Sequence, residues 1–248
     1  MHPTKSKFPR LYVPDFLNQG REVVLSTTQA HYVLHVMRKK QGEGVLLFNG
    51  KEGEWEGELT VCSPKRTVVV CKQLRRPQKP ESDIWLLFAP LKKDPSEFLM
   101  EKATELGLSE AYPVVTEYAE TKSFSLAKAE AHTIEAAEQC ERLTVPKIHP
   151  LQPLKDVLVA WPEDRILYVC VERAEVPPLL QALDLSKKVA FLVGPEGGLS
   201  EKDLALLEGQ AFVRFVSLGP LILRAETAGV VALSSILLSL CVVRSSLM

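Results

Sequence analysis

The chain has 248 residues, room for one large domain or two modest ones. With 46% hydrophobic and 25% charged residues, it is an ordinary globular chain able to fill a sizeable core. Its formal net charge of −1 is unevenly spread. Residues 1–76 hold 13 Lys and Arg against 7 Asp and Glu, a balance of +6 that leaves −7 for the rest. A basic N-terminal part suits a polyanionic partner, and equally a solvated basic surface. Met1 to Lys7 lacks the apolar core of a secretory signal. The five cysteines are odd in number and form no Cys-x-x-Cys pair, so they read as free thiols of a reducing, cytoplasmic compartment.

In chain order, Val23 to Ser26 reads as a strand, and Ser26-Thr-Thr-Gln29 as a capping box opening a helix from about Thr27 to Lys39, stopped by Gly42. His31 and His35, four apart, are metal-ligand spacing, but with no third ligand nearby they read as a helix face, as do His132 and His149. Strands follow at Val45–Phe48, Glu54–Val61 and Thr67–Leu74, with turns at Asn49-Gly50 and Ser63-Pro64. Short strands with one helix predict a small β-barrel. Trp55, Trp85 and Trp161 read as core or barrel-surface residues. Arg75 to Asp83, polar with two prolines, is the linker.

Beyond it the pattern changes. Apolar strands at Ile84–Ala89, Ala111–Val115, Ile166–Val171, Val189–Val193 and Phe212–Leu218 alternate with helices. The helices are expected from an Asp94 cap to Gly107, then at Leu126–Arg142, Leu154–Ala160, Glu201–Glu208 and Ala225–Val243. This alternation predicts an α/β domain with a buried parallel sheet. The apolar run Ala228–Val243 falls short of the roughly 20 residues that span a membrane. It reads as a buried C-terminal helix, with a subunit interface as the second reading.

Two strand-to-helix junctions stand out. Gly194-Pro-Glu-Gly-Gly-Leu199 follows an apolar strand and precedes a helix capped by Ser200. Glycines there allow close backbone approach or positive φ, and open α/β sheets hold ligands beyond the carboxyl ends of their strands. The loop matches no dinucleotide or P-loop pattern, and it lies late in the chain. The second junction, Leu218-Gly-Pro-Leu-Ile-Leu-Arg-Ala-Glu-Thr-Ala228, puts Gly-Pro after a strand and Arg224, Glu226 and Thr227 at a helix start. Its small and apolar residues suit a purine held by main-chain hydrogen bonds. Each junction alone is equally a tight turn without a ligand.

Together these segments resemble the ribosomal RNA small-subunit methyltransferase E family of the knotted SPOUT methyltransferases. Further segments in the same order carry the resemblance: Phe8-Pro-Arg-Leu-Tyr-Val13, His31-Tyr-Val-Leu-His-Val-Met-Arg38, Glu101-Lys-Ala-Thr-Glu-Leu-Gly107, and Glu135-Ala-Ala-Glu-Gln-Cys-Glu-Arg142 before Val145-Pro146. It implies a PUA-like RNA-binding β-barrel over 1–76. Over 77–248 it implies a SPOUT domain, a trefoil-knotted parallel sheet with helices on both faces. It also implies a homodimer, S-adenosylmethionine as methyl donor with no metal, and N3 of a 16S rRNA uridine as acceptor.

In that frame Val171, Glu172, Gly194, Glu196, Gly197, Leu218, Gly219, Ile222 and Leu223 are the expected donor residues. The alternative role for Glu196 is to hold the loop by bonding backbone amides. Arg224 would stabilise charge on the base, and Glu226 would orient it or accept a proton, with a helix-start ion pair as the alternative for both. Arg10, Arg38, Lys39, Lys92, Lys102, Gln139 and Arg142 are the expected RNA contacts, with Lys93 continuing that surface.

Two departures bear on RNA contacts more than on the donor site. Leu221 stands where the family usually has a basic residue, and Glu117 to Lys122 lacks the usual Arg. Two other functions fit parts of the pattern. A ribose 2′-hydroxyl methyltransferase of the same fold would usually show Asn in the last loop, where Ile222-Leu-Arg224 stands. A non-catalytic RNA-binding assembly factor would bind no donor.

Overall fold

The computed structural model describes residues 8–63, 66–121, 123–172 and 175–246. The chain forms two compact units. One is 1–80 with 137–145, and the other is 81–136 with 146–248.

The first unit contains β1 (Arg10–Tyr12), β2 (Glu22–Val24), α1 (Thr27–His31), β3 (Gly44–Phe48), β4 (Glu54–Ser63) and β5 (Arg66–Arg76). They make a five-stranded sheet in the order β1-β3-β4-β5-β2, antiparallel except for β1 beside β3. Register shifts at three points between β4 and β5 bend it. Its core gathers Leu11, Val23, Val33, Leu47, Leu59 and Val69.

The Ser26 capping box forms as expected. Gln29 N donates to Ser26 Oγ (3.2 Å), and Ser26 N donates to the Gln29 amide (3.1 Å). The helix is shorter than expected. After His31 it widens into one π-type turn over Tyr32–Val36, and Arg38 and Gly42 then take positive φ (53° and 87°), so Lys39 lies outside it. The turn at Asn49-Gly50 is the start of a five-residue loop, not a two-residue hairpin. Phe48 pairs with Glu54, and the Asn49 side chain accepts from the amides of Lys51 and Glu52. Gly53 closes the loop against the backbone of Arg76 and Gln78, too near for any side chain.

Arg10 corrects an expectation. The sequence assigned it to phosphate, but it is 8% exposed. Its Nε meets Glu54 Oε1 at 2.6 Å, and its Nη atoms donate to the carbonyls of Ala137, Glu138 and Arg142. The guanidinium lies 4.3 Å from the Phe48 ring. Four of its five N–H donors are spent inside the unit, which ties 137–145 to it. Arg76 also binds Glu54, at 2.7 and 2.8 Å. Burial would raise the Glu54 carboxyl, but the hydrogen bonds from Arg76 and Arg10 outweigh it and hold it below its ordinary range.

The second unit contains β6 (Ile84–Phe88), α2 (Lys93–Glu105), β7 (Glu110–Val115), α3 (Leu126–Gln139, whose end is counted with the first unit), β8 (Lys147–Ile148), β9 (Gln152–Pro153), α4 (Leu154–Val159), β10 (Arg165–Cys170), α5 (Leu179–Ala182), β11 (Lys188–Val193), α6 (Glu201–Glu208), β12 (Val213–Val216) and α7 (Ala225–Ser246). The sheet runs β12-β10-β11-β6-β7-β8, with β9 also on β7, and every pairing is parallel.

Its strands bury both faces, which explains their unbroken apolar runs. Leu86, Phe88, Tyr168, Phe191 and Val193 face one core with α2 and α7, while Leu87, Leu167, Val169, Ala190 and Leu192 face the other with α4 and α6. Lys92, not Asp94, sits at the cap of α2, and Asp94 falls in the first turn. Helix α3 ends at Gln139 rather than Arg142, because Glu141 turns to φ 63°. The short β8, β9 and α5 had no sequence signal. By length and hydropathy Ala225–Val242 is apolar enough to cross a membrane. Here one side of it packs Ala228, Ala232, Leu233 and Ile236 into the core, and Gly229 lies so close to Leu99 that a methyl group would meet its Cδ1 at 2.6 Å.

Trp85 lies under the Arg165 guanidinium at 3.6 Å, Trp161 stacks on Phe212, and Trp55 donates to Glu52 O, all partly buried. Among the described residues no cluster of His, Cys, Asp and Glu is arranged to hold a metal ion.

Candidate methyl-donor site

Strands β12, β10 and β11 are neighbours, and they end level with one another. Cys170 pairs with both Val193 and Val216. The loops that leave these ends therefore meet at one edge of the sheet, although they are far apart in sequence. They surround a cavity of about 520 Å³. All nine residues expected to hold the donor line it: Val171 and Glu172 after β10; Gly194, Glu196 and Gly197 after β11; Leu218, Gly219, Ile222 and Leu223 after β12.

The loops after β11 and β12 are held mainly by short-range hydrogen bonds, most of them between side chains and backbone. Gly198, at φ 76°, donates its N–H to Pro195 O (2.8 Å). Ser200 caps α6 by accepting from Asp203 N (3.1 Å), and Asp203 Oδ2 accepts in return from Ser200 N and from Glu117 N. Gly219 sits at φ 131°, its N–H on Ser217 Oγ (3.1 Å) and its carbonyl accepting from that hydroxyl (3.2 Å). Glu196 is exposed and makes no hydrogen bond among the described residues, so the loop-holding role considered for it is filled by Gly198.

Leu221 and Ile222 stand 75% and 57% exposed at the cavity, an apolar lip of the kind a ligand covers. Sequence reasoning missed, among other lining residues, the apolar Cys170, Val176, Leu199, Leu204 and Phe215 and the charged Glu208. Apolar residues at strand ends and on α6 carry no mark that separates them from core. Burial pushes the Cys170 thiol up to about 12, so it is wall and not nucleophile.

Arg224 immediately precedes α7 and Glu226 lies in its first turn, next to the cavity-lining Leu223 and Ala225. Arg224 is exposed, Glu226 is half-buried, and the ion pair considered for them does not form among the described residues. The Arg224 carbonyl accepts from Ala228 N (2.8 Å), and among the described residues its guanidinium makes no hydrogen bond or ion pair.

The expected RNA contacts vary in availability. Arg38 and Gln139 are exposed, and Arg142 donates to Thr144 Oγ1 (3.0 Å). Lys39 pairs with Glu43 (3.2 Å), and Lys102 with Glu101 and Glu105. Lys92, exposed, pairs with Glu120 (3.0 Å). That bond raises its ammonium, and Glu196 adds a smaller push in the same direction. Lys93's side chain lies outside the described residues.

Comparison with known proteins agrees with this architecture. An RNA methyltransferase domain model matches residues 77–237, and an RNA methyltransferase PUA domain model matches 25–70. Ribosomal RNA small subunit methyltransferase E of Rickettsia conorii is 32% identical over 93% of this chain and 95% of its own. The crystal structure of the Neisseria gonorrhoeae protein of that name, bound to S-adenosylmethionine, superimposes with a TM-score of 0.84 at 28% identity, covering 92% of this chain and 96% of that one. A Legionella pneumophila methyltransferase structure with the same bound cofactor gives 0.83 at 29%, covering 94% and 98%. The chain belongs to the ribosomal RNA small subunit methyltransferase E family.

Proposed function

We propose that the protein methylates N3 of a uridine in the 16S rRNA of the small ribosomal subunit, with S-adenosylmethionine as donor. One observation carries this reading. Three strand ends, level in register, bring three loops, two of them containing glycine, around one cavity in a chain of an RNA methyltransferase family. The two relatives solved with this cofactor support the choice of donor.

The residues fit that molecule. A cavity of about 520 Å³ has the size of a cofactor pocket. Leu218, Ile222 and Leu223 offer apolar faces to a purine, and the loops of Gly194, Gly197 and Gly219 offer backbone groups at close range. Glu172, Glu196 and Val171 complete the donor set, the two carboxylates complementing a cationic ligand. When bound, the donor supplies a methyl group already activated on a sulfonium, so the chemistry requires no metal.

The protein's task is the acceptor. Uracil N3 carries a proton at neutral pH, and its loss leaves negative charge on the ring. Arg224, exposed and unpaired among the described residues, is our choice to stabilise that charge. Glu226 orients Arg224 or accepts the proton. For RNA contacts we propose Arg38, Lys39, Gln139 and Arg142 in the first unit, and Lys92 and Lys102 in the second.

We also infer a PUA-like RNA-binding barrel over 1–76, a methyltransferase domain over 77–248 with its chain end in a trefoil knot, a cytoplasmic location and a homodimer. Leu238 and Val242 on α7, 65% and 66% exposed, favour the dimer. Calorimetric titration with S-adenosylmethionine tests the reading. Saturable binding is expected, and no binding by folded protein in the presence of small-subunit rRNA would overturn it in favour of a non-catalytic factor.

A further inference from the structure

The second unit holds another cavity, of about 320 Å³, between the start of α2, the segment after β7 and the start of α3. Its floor is apolar, made by the buried Leu91, Met100 and Ala129. Phe124 forms one wall. Its ring meets Phe88 at 71°, and among the described residues it has no stacked aromatic partner. The rim is polar. Ser123 and Ser125 bring hydroxyls, and His132 Nε2 stands 3.5 Å from Glu97 Oε1. Lys128 is exposed and has no ion pair among the described residues.

This lining selects a ligand class. The volume lies at the small end of the roughly 300–1,000 Å³ range of ligand pockets, suited to a group of nucleoside size. An aromatic wall, polar edges and a free ammonium outside form the combination that holds an unstacked base and its phosphate. A wholly apolar ligand would leave Glu97 and His132 facing hydrocarbon.

The cavity also adjoins the donor site. Lys92 lines it and lies within electrostatic reach of Glu196 in the donor cavity. Tyr118, from the segment between them, packs on Gly197, its Cβ 3.4 Å from where a side chain there would begin. Neither Arg224 nor Glu226 lines it, which makes it a place for a flanking nucleotide rather than for the acceptor.

We propose that this cavity takes one unstacked nucleotide of the RNA strand beside the methylated base, with the base against Phe124 and a phosphate at Lys128. The proposal rests on the RNA-methylation reading above.

Its test uses the full chain with Lys128→Glu, Phe124→Leu and Phe124→Tyr. Three quantities are measured: KM and kcat for small-subunit rRNA or assembled subunits, whichever the wild type methylates; donor affinity by calorimetry; and thermal midpoints. Lys128→Glu and Phe124→Leu should each raise the RNA KM about tenfold, with kcat and donor affinity within about twofold, and Phe124→Tyr should restore KM. Lys128→Glu should also lower the salt slope of RNA affinity by about one. Wild-type KM and slope in an active Lys128→Glu protein would overturn the proposal alone. Lys128 is exposed, so this variant decides even if Phe124→Leu fails to fold. If the wild type methylates neither substrate, the activity reading falls and the proposal with it.

Discussion

Gly219→Ala tests the donor loop through backbone conformation rather than contact. Nothing lies within 4 Å of the position a Cβ would take, so the new methyl group meets no neighbour. The difficulty is φ 131°, where a side chain costs about 1–3 kcal/mol. The loop can keep its shape and carry that strain, or relax and give up the two hydrogen bonds between Gly219 and Ser217. Gly219 is exposed, so relaxation is the cheaper course. Global stability then falls by under about 1 kcal/mol. Restoring the cavity on binding costs the withheld strain, which raises the donor Kd by about 5- to 150-fold.

Gly209→Ala is the control. Gly209, after α6, does not line the cavity, its φ is −70°, and its added Cβ comes no nearer than 3.9 Å to the carbonyls of Ala205 and Leu206, so affinity should stay within about threefold. Calorimetric titration with S-adenosylmethionine, paired with urea melts, reads both variants. Wild-type donor affinity in Gly219→Ala, or a larger loss in Gly209→Ala, would refute the reasoning.

Arg224→Ala should lower kcat by about 10²–10³ while leaving donor affinity nearly unchanged, and equal turnover would remove Arg224 from the mechanism. Glu54→Ala strands Arg10, whose side chain is 5% exposed, while Arg76 at 39% can turn to water. A loss near the lower end of the range for a broken buried pair, about 3 kcal/mol, is expected in urea denaturation, and a loss under about 1 kcal/mol would count against it. Acid should weaken the fold through Glu54 and Asp83. For both, burial raises the carboxyl, but Arg76 and Arg10 for the first and Arg165 for the second more than offset it. Their folded values lie below the ordinary 4.5 and 3.8, so their contribution is complete above those values and lost as pH falls through the lower folded ones. Urea midpoints that stay flat from neutral pH to pH 3 would contradict this.

Much of the site was legible because its signals are local. A strand end, a glycine loop and a capped helix announce themselves within a dozen residues, as Val189 to Asp203 does. What brings Val171, Gly194 and Leu218 to one cavity is the strand order β12-β10-β11, and no single segment encodes that order. Arg10 was misread because its charge is visible in the sequence, whereas Glu54 and the carbonyls of 137–142 that consume it lie far along the chain. The helix after Ser26 began where its cap said. It ended early because Arg38 takes a left-handed conformation, which residue type alone does not signal. The second cavity was invisible for the same reason as the strand order. Leu91, Phe124 and His132 come together only through packing.

The central claim is the acceptor atom. Small subunits from a strain lacking this protein would be incubated with the purified chain and isotope-labelled S-adenosylmethionine, and the digested rRNA resolved by mass spectrometry. The account predicts label in 3-methyluridine at a single site. Label in a ribose-methylated nucleoside, or none with active donor binding, would contradict it.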